Sequence, residues 1–240
     1  MCAPKFRAVL LLTAAFAAPA LAQQATIAQG QQIATQGTLQ GVAACVGCHG
    51  AQGAGNAAFP RLAGTGQAYL QAQLDAFADG RRKNPIMQPF AQKLSATERI
   101  ALAMYYSQLP APLGAPPSAV EAPSVTRSDA GAWLATRGRW SDNLPACAQC
   151  HGPSGSGVGA QFPPLAGLSV AYVTQQLQAW KAGTRPPGPL GLMPAVASKL
   201  SDKDVDAVAA YYSALATVPA QAPVQGTGNA LQNNTKGARP

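Results

Sequence analysis

A box of the form C-x-x-C-H-G occurs twice in the 240-residue sequence, as CVGCHG at 45–50 and as CAQCHG at 147–152. The two boxes hold four of the five cysteines in the chain and both of its histidines. Their offset of 102 residues predicts two copies of one unit, each long enough to bury a core of its own.

The repeat extends over most of the chain. Its matching segments are GQQIATQG (30–37) with GAWLATRG (131–138), FPRLAG (59–64) with FPPLAG (162–167), Met87 with Met193, and the tyrosine pair 105–106 with 211–212. The offset rises from 101 to 106 along the unit and changes only at loops. The repeat predicts a first domain over 23–118 and a second over 119–218, joined by the proline-rich segment 110–124.

Both copies predict helices, and no segment alternates as a strand does. Ser95 and Glu98 form a capping box at the start of one helical pattern, and Ser201 begins the matching one. Gly80 and Gly183 end earlier amphipathic segments as C-terminal caps. We predict an all-α protein of two tandem domains, followed by a disordered tail over 219–240 that is rich in Gly, Pro, Asn and Gln.

Residues 1–22 predict a secretory signal that is cleaved after Ala22, because Lys5 and Arg7 precede an apolar run ending in Ala-Leu-Ala. This cleavage would also remove Cys2. No later run is long and apolar enough to span a membrane, so we expect a periplasmic protein and leave docking to membrane complexes open. The remaining 15 basic and nine acidic side chains are spread evenly, which argues against nucleic-acid binding.

C-x-x-C-H is the attachment signature of c-type haem. Cysteines about one helical turn apart add to the two vinyl groups of one porphyrin, and the adjacent histidine reaches the iron. The cysteines here are Cys45 and Cys48 with His49, and Cys147 and Cys150 with His151. A zinc site or structural disulfides would leave the histidines without a role, and a thioredoxin-like redox pair would need a βαβ pattern. The sequence therefore predicts two covalently attached haem c groups.

The second axial ligand of each iron follows by elimination. Both histidines are already used, and the mature chain has three methionines, Met87, Met104 and Met193. Met104 occupies a core-like helical position whose counterpart is Ala210. Met87 and Met193 match each other, and neighbouring prolines predict that both lie in loops outside helices. We expect them to ligate iron opposite His49 and His151.

His/Met coordination leaves no open position on the iron, which suits an electron carrier rather than an enzyme. We expect no catalytic residue, because no spare histidine and no arrangement of a nucleophile with a base is evident. Two hypotheses remain open. One is a free carrier between a quinol-oxidising complex or dehydrogenase and a terminal oxidase or reductase. The other is a tightly bound cytochrome subunit of a periplasmic dehydrogenase complex that oxidises alcohols, aldehydes or sulfide.

The chain resembles the dihaem class I cytochromes c, most closely the cytochrome c-four type, over about residues 24–216. The resemblance rests on both C-x-x-C-H boxes, the P-x-L-A-G segments, the G-x-R stretches and both methionine segments. It implies that the carbonyls of Pro60 and Pro163 accept the N–H of the haem-binding histidines. It further implies that the two domains pack face to face about a pseudo-twofold axis. Arg82 and Arg185 either pair with haem propionates or are exposed basic side chains at helix ends.

Overall fold

The computed structural model describes residues 17–111 and 125–215, and each repeat forms five α-helices in the same order. The helices of the first repeat are α1 (Ala17–Gln36), α2 (Val46–His49), α3 (Gln67–Ala78), α4 (Met87–Lys93) and α5 (Ala96–Gln108). Those of the second are α6 (Ala130–Thr136), α7 (Ala148–His151), α8 (Val170–Lys181), α9 (Leu192–Ala197) and α10 (Asp202–Ala214). Within the described ranges the only β pairing is two isolated bridges, so the all-α prediction is confirmed.

Three predictions fall wholly or partly outside these ranges. Residues 1–16 of the predicted signal, the predicted domain boundary near 118 and the predicted tail at 219–240 are not among the described residues. Of the helices that are described, none is long and apolar enough to cross a membrane.

The predicted helix ends are observed. Ser95 accepts a hydrogen bond from the Glu98 backbone while the Glu98 carboxylate accepts one from Ser95, and Ser201 forms the same capping box with Asp204. Gly80 and Gly183 follow α3 and α8 with φ of +79° and +67°, a conformation that glycine adopts without strain. These caps fix where the helices that border each site begin and end.

The first and last helices of each repeat cross at a glycine. A Cβ on Gly30 of α1 would lie 2.1 Å from the carbonyl oxygen of Ala101 in α5. In the second repeat a Cβ on Gly131 of α6 would lie 2.3 Å from the carbonyl oxygen of Ala207 in α10. Since these contacts are to backbone atoms, only glycine allows the helices to approach this closely.

Each repeat has its own apolar core behind this crossing. Ile33, Leu70, Leu94, Leu102 and Tyr106 are among the buried residues of the first core. Leu134, Leu144, Leu177, Val205 and Val208 are among those of the second. The two cores are separate clusters, as expected for two domains with one hydrophobic core each.

The two repeats also make direct backbone contact. The amide of Tyr69, in the first turn of α3, donates to the carbonyl oxygen of Ala160 in the second repeat at 2.9 Å. In α8 the equivalent amide, that of Tyr172, is capped by the side chain of Ser169. Gly66 stands at the position of Ser169, and a Cβ there would lie 2.5 Å from the Ala160 oxygen. The second domain therefore caps a helix of the first, at the point where the first lacks a side-chain cap.

Candidate haem sites

One continuous cavity of about 1290 Å³ is lined by residues of both repeats. Ligand pockets of single small molecules usually occupy about 300–1,000 Å³, so this volume suits two large groups better than one. All the residues that the sequence predicts as covalent anchors or iron ligands line it: Cys45, Cys48, His49, Met87, Cys147, Cys150, His151 and Met193. The cavity is thus where the two predicted haems would lie.

Each C-x-x-C-H box forms a single helical turn. Cys45 immediately precedes α2, which ends at His49, and Cys147 holds the same position before α7. The four cysteines of the boxes are free and partly buried. Burial raises the pKa of Cys45 and of Cys147, which is opposite to the lowered pKa of a redox-active thiol pair. Within the described residues no cluster of three or more His, Cys, Asp or Glu side chains could hold a metal ion.

The histidines are oriented by backbone carbonyls. Nδ1 of His49 lies 2.8 Å from the oxygen of Pro60, and Nδ1 of His151 lies 2.7 Å from that of Pro163. A carbonyl only accepts, so Nδ1 carries the proton and Nε2 keeps its lone pair. Burial lowers the pKa of both histidines more than these carbonyls raise it, which favours neutral imidazoles.

His49 Nε2 is also a buried polar atom without a partner. Among the described residues nothing hydrogen-bonds to it, although its side chain is buried and faces the cavity. An unpaired buried nitrogen costs free energy, and binding to a metal removes that cost. This atom, the free thiols and the size of the cavity all fit covalently bound haem.

The prediction that Met87 and Met193 lie in loops is wrong. Met87 is the first residue of α4 and Met193 the second residue of α9. In each helix a proline, Pro89 or Pro194, occupies the third position. The amides of a first helical turn have no carbonyl to bond within the helix, so a proline there costs nothing.

The three methionines differ in what they face. Met87 and Met193 line the cavity, and both are partly buried. Met104, although partly buried in α5, is not among the residues that line it. Asn84 holds the start of α4 in place, because its side-chain oxygen accepts from the amides of Ile86 and Met87 at 3.0 and 2.8 Å.

Arg82 and Arg185 are buried, with exposed fractions of 8% and 5%, so they are not exposed side chains at helix ends. Arg82 donates to Gln176 at 2.7 Å and to Tyr172 at 3.3 Å, both in the second repeat. Arg185 donates in return to two residues of the first repeat, Tyr69 at 2.8 Å and Gln73 at 3.1 Å. Tyr69 and Gln73 match Tyr172 and Gln176 in the repeat, so the contacts are reciprocal, as a two-fold relation requires.

This interface is electropositive. In the described part of the chain neither Arg82 nor Arg185 forms an ion pair with a carboxylate. Burial alone would raise the pKa of Tyr172, but the two nearby guanidinium groups outweigh it and lower that pKa. Two buried cations without counter-ions favour an anionic group at this point of the cavity.

Sequence reasoning gave no role to Gln73, Gln176, Asn84 or Arg61, which all line the cavity. The two glutamines carried a signal, because they repeat at the same offset as Tyr69 and Tyr172 on otherwise amphipathic helices. Arg61 carried a different signal, since it is a charged residue within a repeated apolar segment, where the second copy has Pro164.

The two halves of the chain match known families. Residues 27–110 match the cytochrome c family, and residues 137–211 match subunit III of cbb3-type cytochrome c oxidase. A relative, the thiosulfate dehydrogenase electron acceptor of Stutzerimonas stutzeri (strain A1501), is 48% identical over 207 residues, which cover 83% of this chain and 92% of that protein.

Two solved structures are similar in fold and sequence. Reduced recombinant cytochrome c4 from Pseudomonas stutzeri has a TM-score of 0.64 at 30% identity, covering 79% of this chain and 97% of its own. Thiosulfate dehydrogenase (TsdBA) from Marichromatium purpuratum has a TM-score of 0.69 at 41% identity and covers 78% of this chain. This chain spans only 40% of that longer one. The chain therefore belongs to the cytochrome c family: it consists of two cytochrome c domains, each with covalently bound haem c, and is related to the dihaem cytochromes c4.

Proposed function

We propose that the chain is a periplasmic dihaem electron carrier that accepts electrons from a thiosulfate-oxidising dehydrogenase and passes them to a terminal oxidase or reductase. The observation that carries the proposal is the shared cavity, which is lined by a histidine and a methionine from each repeat. When bound, each haem supplies a one-electron iron couple. The protein's part is to hold, orient and shield the two groups.

In this proposal Cys45 and Cys48 attach the first haem, and Cys147 and Cys150 attach the second. His49 and His151 bind the irons through Nε2, since their Nδ1 protons are engaged by Pro60 and Pro163. Met87 and Met193 would each supply a second protein ligand to one iron. Support comes from their place on the cavity wall and from the absence of Met104 from that wall.

Arg82 and Arg185 bind propionate groups of the haems in this proposal. Each guanidinium is buried among neutral partners at the domain interface. Propionates would provide the missing negative charge. Because each arginine reaches into the other repeat, the same side chains would also hold the two haems at a fixed mutual distance.

The ligands are tested by optical spectroscopy of the oxidised protein. His/Met coordination predicts a sulfur-to-iron charge-transfer band at the red end of the visible spectrum. Met87→Ala and Met193→Ala should each remove about half of it, as expected for two equivalent sites. Met104→Ala is the matched control and should leave the band intact. Loss of the band in Met104→Ala would overturn the assignment.

The proposed substrate class rests on the function of the relatives. Thiosulfate was not among the substrates suggested by the sequence, whereas the 48% identical relative is an electron acceptor of thiosulfate dehydrogenase. We propose that the chain itself performs no substrate chemistry. The holoprotein should be reduced by thiosulfate at both haems when a thiosulfate dehydrogenase is added in catalytic amount. Reduction by thiosulfate alone would show that the chain is itself an enzyme.

A permanent complex with the dehydrogenase is the second candidate. It is favoured by the structure from Marichromatium purpuratum, a thiosulfate dehydrogenase in which a unit similar to this chain occupies 40% of a longer chain. Gel filtration of the native protein separates the two candidates. Elution as a free chain supports the carrier, and co-elution with a dehydrogenase subunit supports the complex.

A further inference from the structure

Arg61 is a buried cation of the first repeat that has no partner. Its exposed fraction is 7%, and it lines the cavity. Among the described residues none of its three guanidinium nitrogens, Nε, Nη1 and Nη2, has a hydrogen-bond partner. Burial lowers the pKa of Arg61 to about 10, the direction expected when a cation loses water and gains no counter-ion.

A folded chain rarely leaves such a group unpaired. An arginine side chain has five N–H donors and remains charged at neutral pH. Removing it from water without a counter-ion or hydrogen-bond acceptors is strongly unfavourable. Gln73 and Gln176 accept hydrogen bonds from Arg82 and Arg185, but neither accepts one from Arg61. An anion inside the cavity would supply the missing partner of Arg61.

The second repeat has no equivalent charge. Arg61 directly follows Pro60, whose carbonyl accepts from His49, and Pro164 directly follows Pro163, whose carbonyl accepts from His151. Pro164 is buried and also lines the cavity. The two sites have the same cysteines, histidine and methionine, but only the first has a buried cation directly after the proline that accepts from the histidine.

We propose that Arg61 binds an acidic group of the first haem and makes the two haem sites electrostatically unequal. This inference rests on the proposed function. With Arg61 present, the negative charge of that acidic group is neutralised next to the first iron. Without Arg61 the group would stabilise the ferric state, which carries one more positive charge, and the reduction potential of that haem would fall. The second haem has Pro164 at this position and would be unaffected.

The test compares midpoint potentials of purified holoprotein at pH 8, where haem carboxylates are ionised. Hyperfine-shifted haem methyl resonances are followed through a redox titration, and contacts with residues of one repeat assign each haem. Arg61→Gln should disfavour reduction of the first haem by about tenfold, or about 59 mV for one electron. A tenfold change corresponds to one pKa unit, which is the low end of the effect that a nearby opposite charge has on an ionisation.

Lys83→Gln is the matched control. Lys83 also lines the first half of the cavity but is exposed, so water and salt screen its charge. Its loss should move the first potential by much less than the loss of Arg61. Arg61→Lys keeps a charge and should retain most of the wild-type value. An Arg61→Gln shift no larger than that of Lys83→Gln, or equal shifts at both haems, would overturn the proposal.

A second measurement is made on the wild-type protein, and a variant serves only to assign the signal. In ¹⁵N-arginine-labelled wild-type protein, the Nε–H of Arg61 should exchange slowly with water and should shift between the reduced and oxidised states. The Arg61→Lys spectrum identifies the resonance. Rapid exchange and no redox shift would overturn the proposal even if Arg61→Gln yields no holoprotein.

Haem content and the sulfur-to-iron band are recorded on the same samples. A wild-type protein without two haems or without that band contradicts the proposed function. If the protein has both features but the reduction potential of its first haem is unchanged in Arg61→Gln, only this inference is contradicted.

Discussion

Replacing Gly30 by alanine tests how closely α1 and α5 approach. The new Cβ would lie 2.1 Å from the carbonyl oxygen of Ala101, 2.6 Å from its carbonyl carbon and 2.8 Å from Cβ of Tyr105. Backbone atoms cannot rotate away, so the helices must separate by roughly 1 Å to restore a tolerable contact. Forcing such a shift on a packed core lowers the free energy of unfolding by about 3 kcal/mol, and the better helix propensity of alanine offsets about 1 kcal/mol of this loss.

The net prediction is a loss of about 2 kcal/mol in the first domain, which corresponds to a melting point lower by roughly 10 °C for a domain of this size. Thermal unfolding of the oxidised holoprotein measures the loss. Hydrogen exchange of α1 and α5, compared with α6 and α10, assigns it to the first domain. Gly131→Ala should produce the same effect in the second domain.

Gly47→Ala is the control for Gly30→Ala. Gly47 lies in α2, no heavy atom lies within 4 Å of a Cβ built there, and the second repeat has Gln149 at the same position. Alanine should therefore be neutral or stabilising at this site by up to about 1 kcal/mol. If Gly30→Ala behaves like Gly47→Ala, α1 and α5 are not held at the distance that the structure gives.

Two further predictions concern single contacts. Asp204→Asn removes the negative charge that accepts three hydrogen bonds from Arg139, 3.1 Å each, and should cost the second domain about 1 kcal/mol in chemical denaturation at pH 7. Glu98→Gln makes the same change in the matching capping box, which has no such ion pair among the described residues, and should cost less. Burial raises the pKa of Asp204, but the bonds from Arg139 and Ser201 lower it overall, so this stability is present above about pH 4 and is lost as the pH falls through the lowered pKa. A stability difference that does not shrink on acidification below about pH 4 would refute the ion pair. Gly66→Ala places a Cβ 2.5 Å from the oxygen of Ala160 without adding a capping hydroxyl, and it should speed hydrogen exchange at the Tyr69 amide that bonds to that oxygen. Ser169→Gly removes only a cap, should cost a few tenths of a kcal/mol and should leave Tyr69 protected; equal exchange at Tyr69 in both variants would refute the interdomain contact.

The sequence predicted the features that depend on neighbours along the chain. Capping residues, glycine ends and the one-turn C-x-x-C-H boxes involve contacts within a few positions, so their residue types are diagnostic. The placement of Met87 in a loop failed for an equally local reason. A proline usually breaks a helix, whereas Pro89 lies in the first turn of α4 and gives up no hydrogen bond there.

The features that sequence reasoning missed depend on how the two repeats meet. Arg82 stands after a helix end, where arginines are usually exposed, and only the docking of the second repeat buries it against Gln176. Gly66 has the same origin, because its lack of a side chain is explained by Ala160 of the other repeat. Such contacts join residues about a hundred positions apart, and no local pattern encodes them.

The reciprocal contacts of Arg82 and Arg185 are those that two copies of a single domain would make with each other in a symmetric dimer. In such a dimer every substitution occurs twice, so the two haems would have identical surroundings and no energetic preference for one electron position over the other. Joining the copies in one chain removes that constraint. A single change, such as arginine in one copy and proline in the other, can then make one end of an otherwise symmetric molecule the favoured place for the electron.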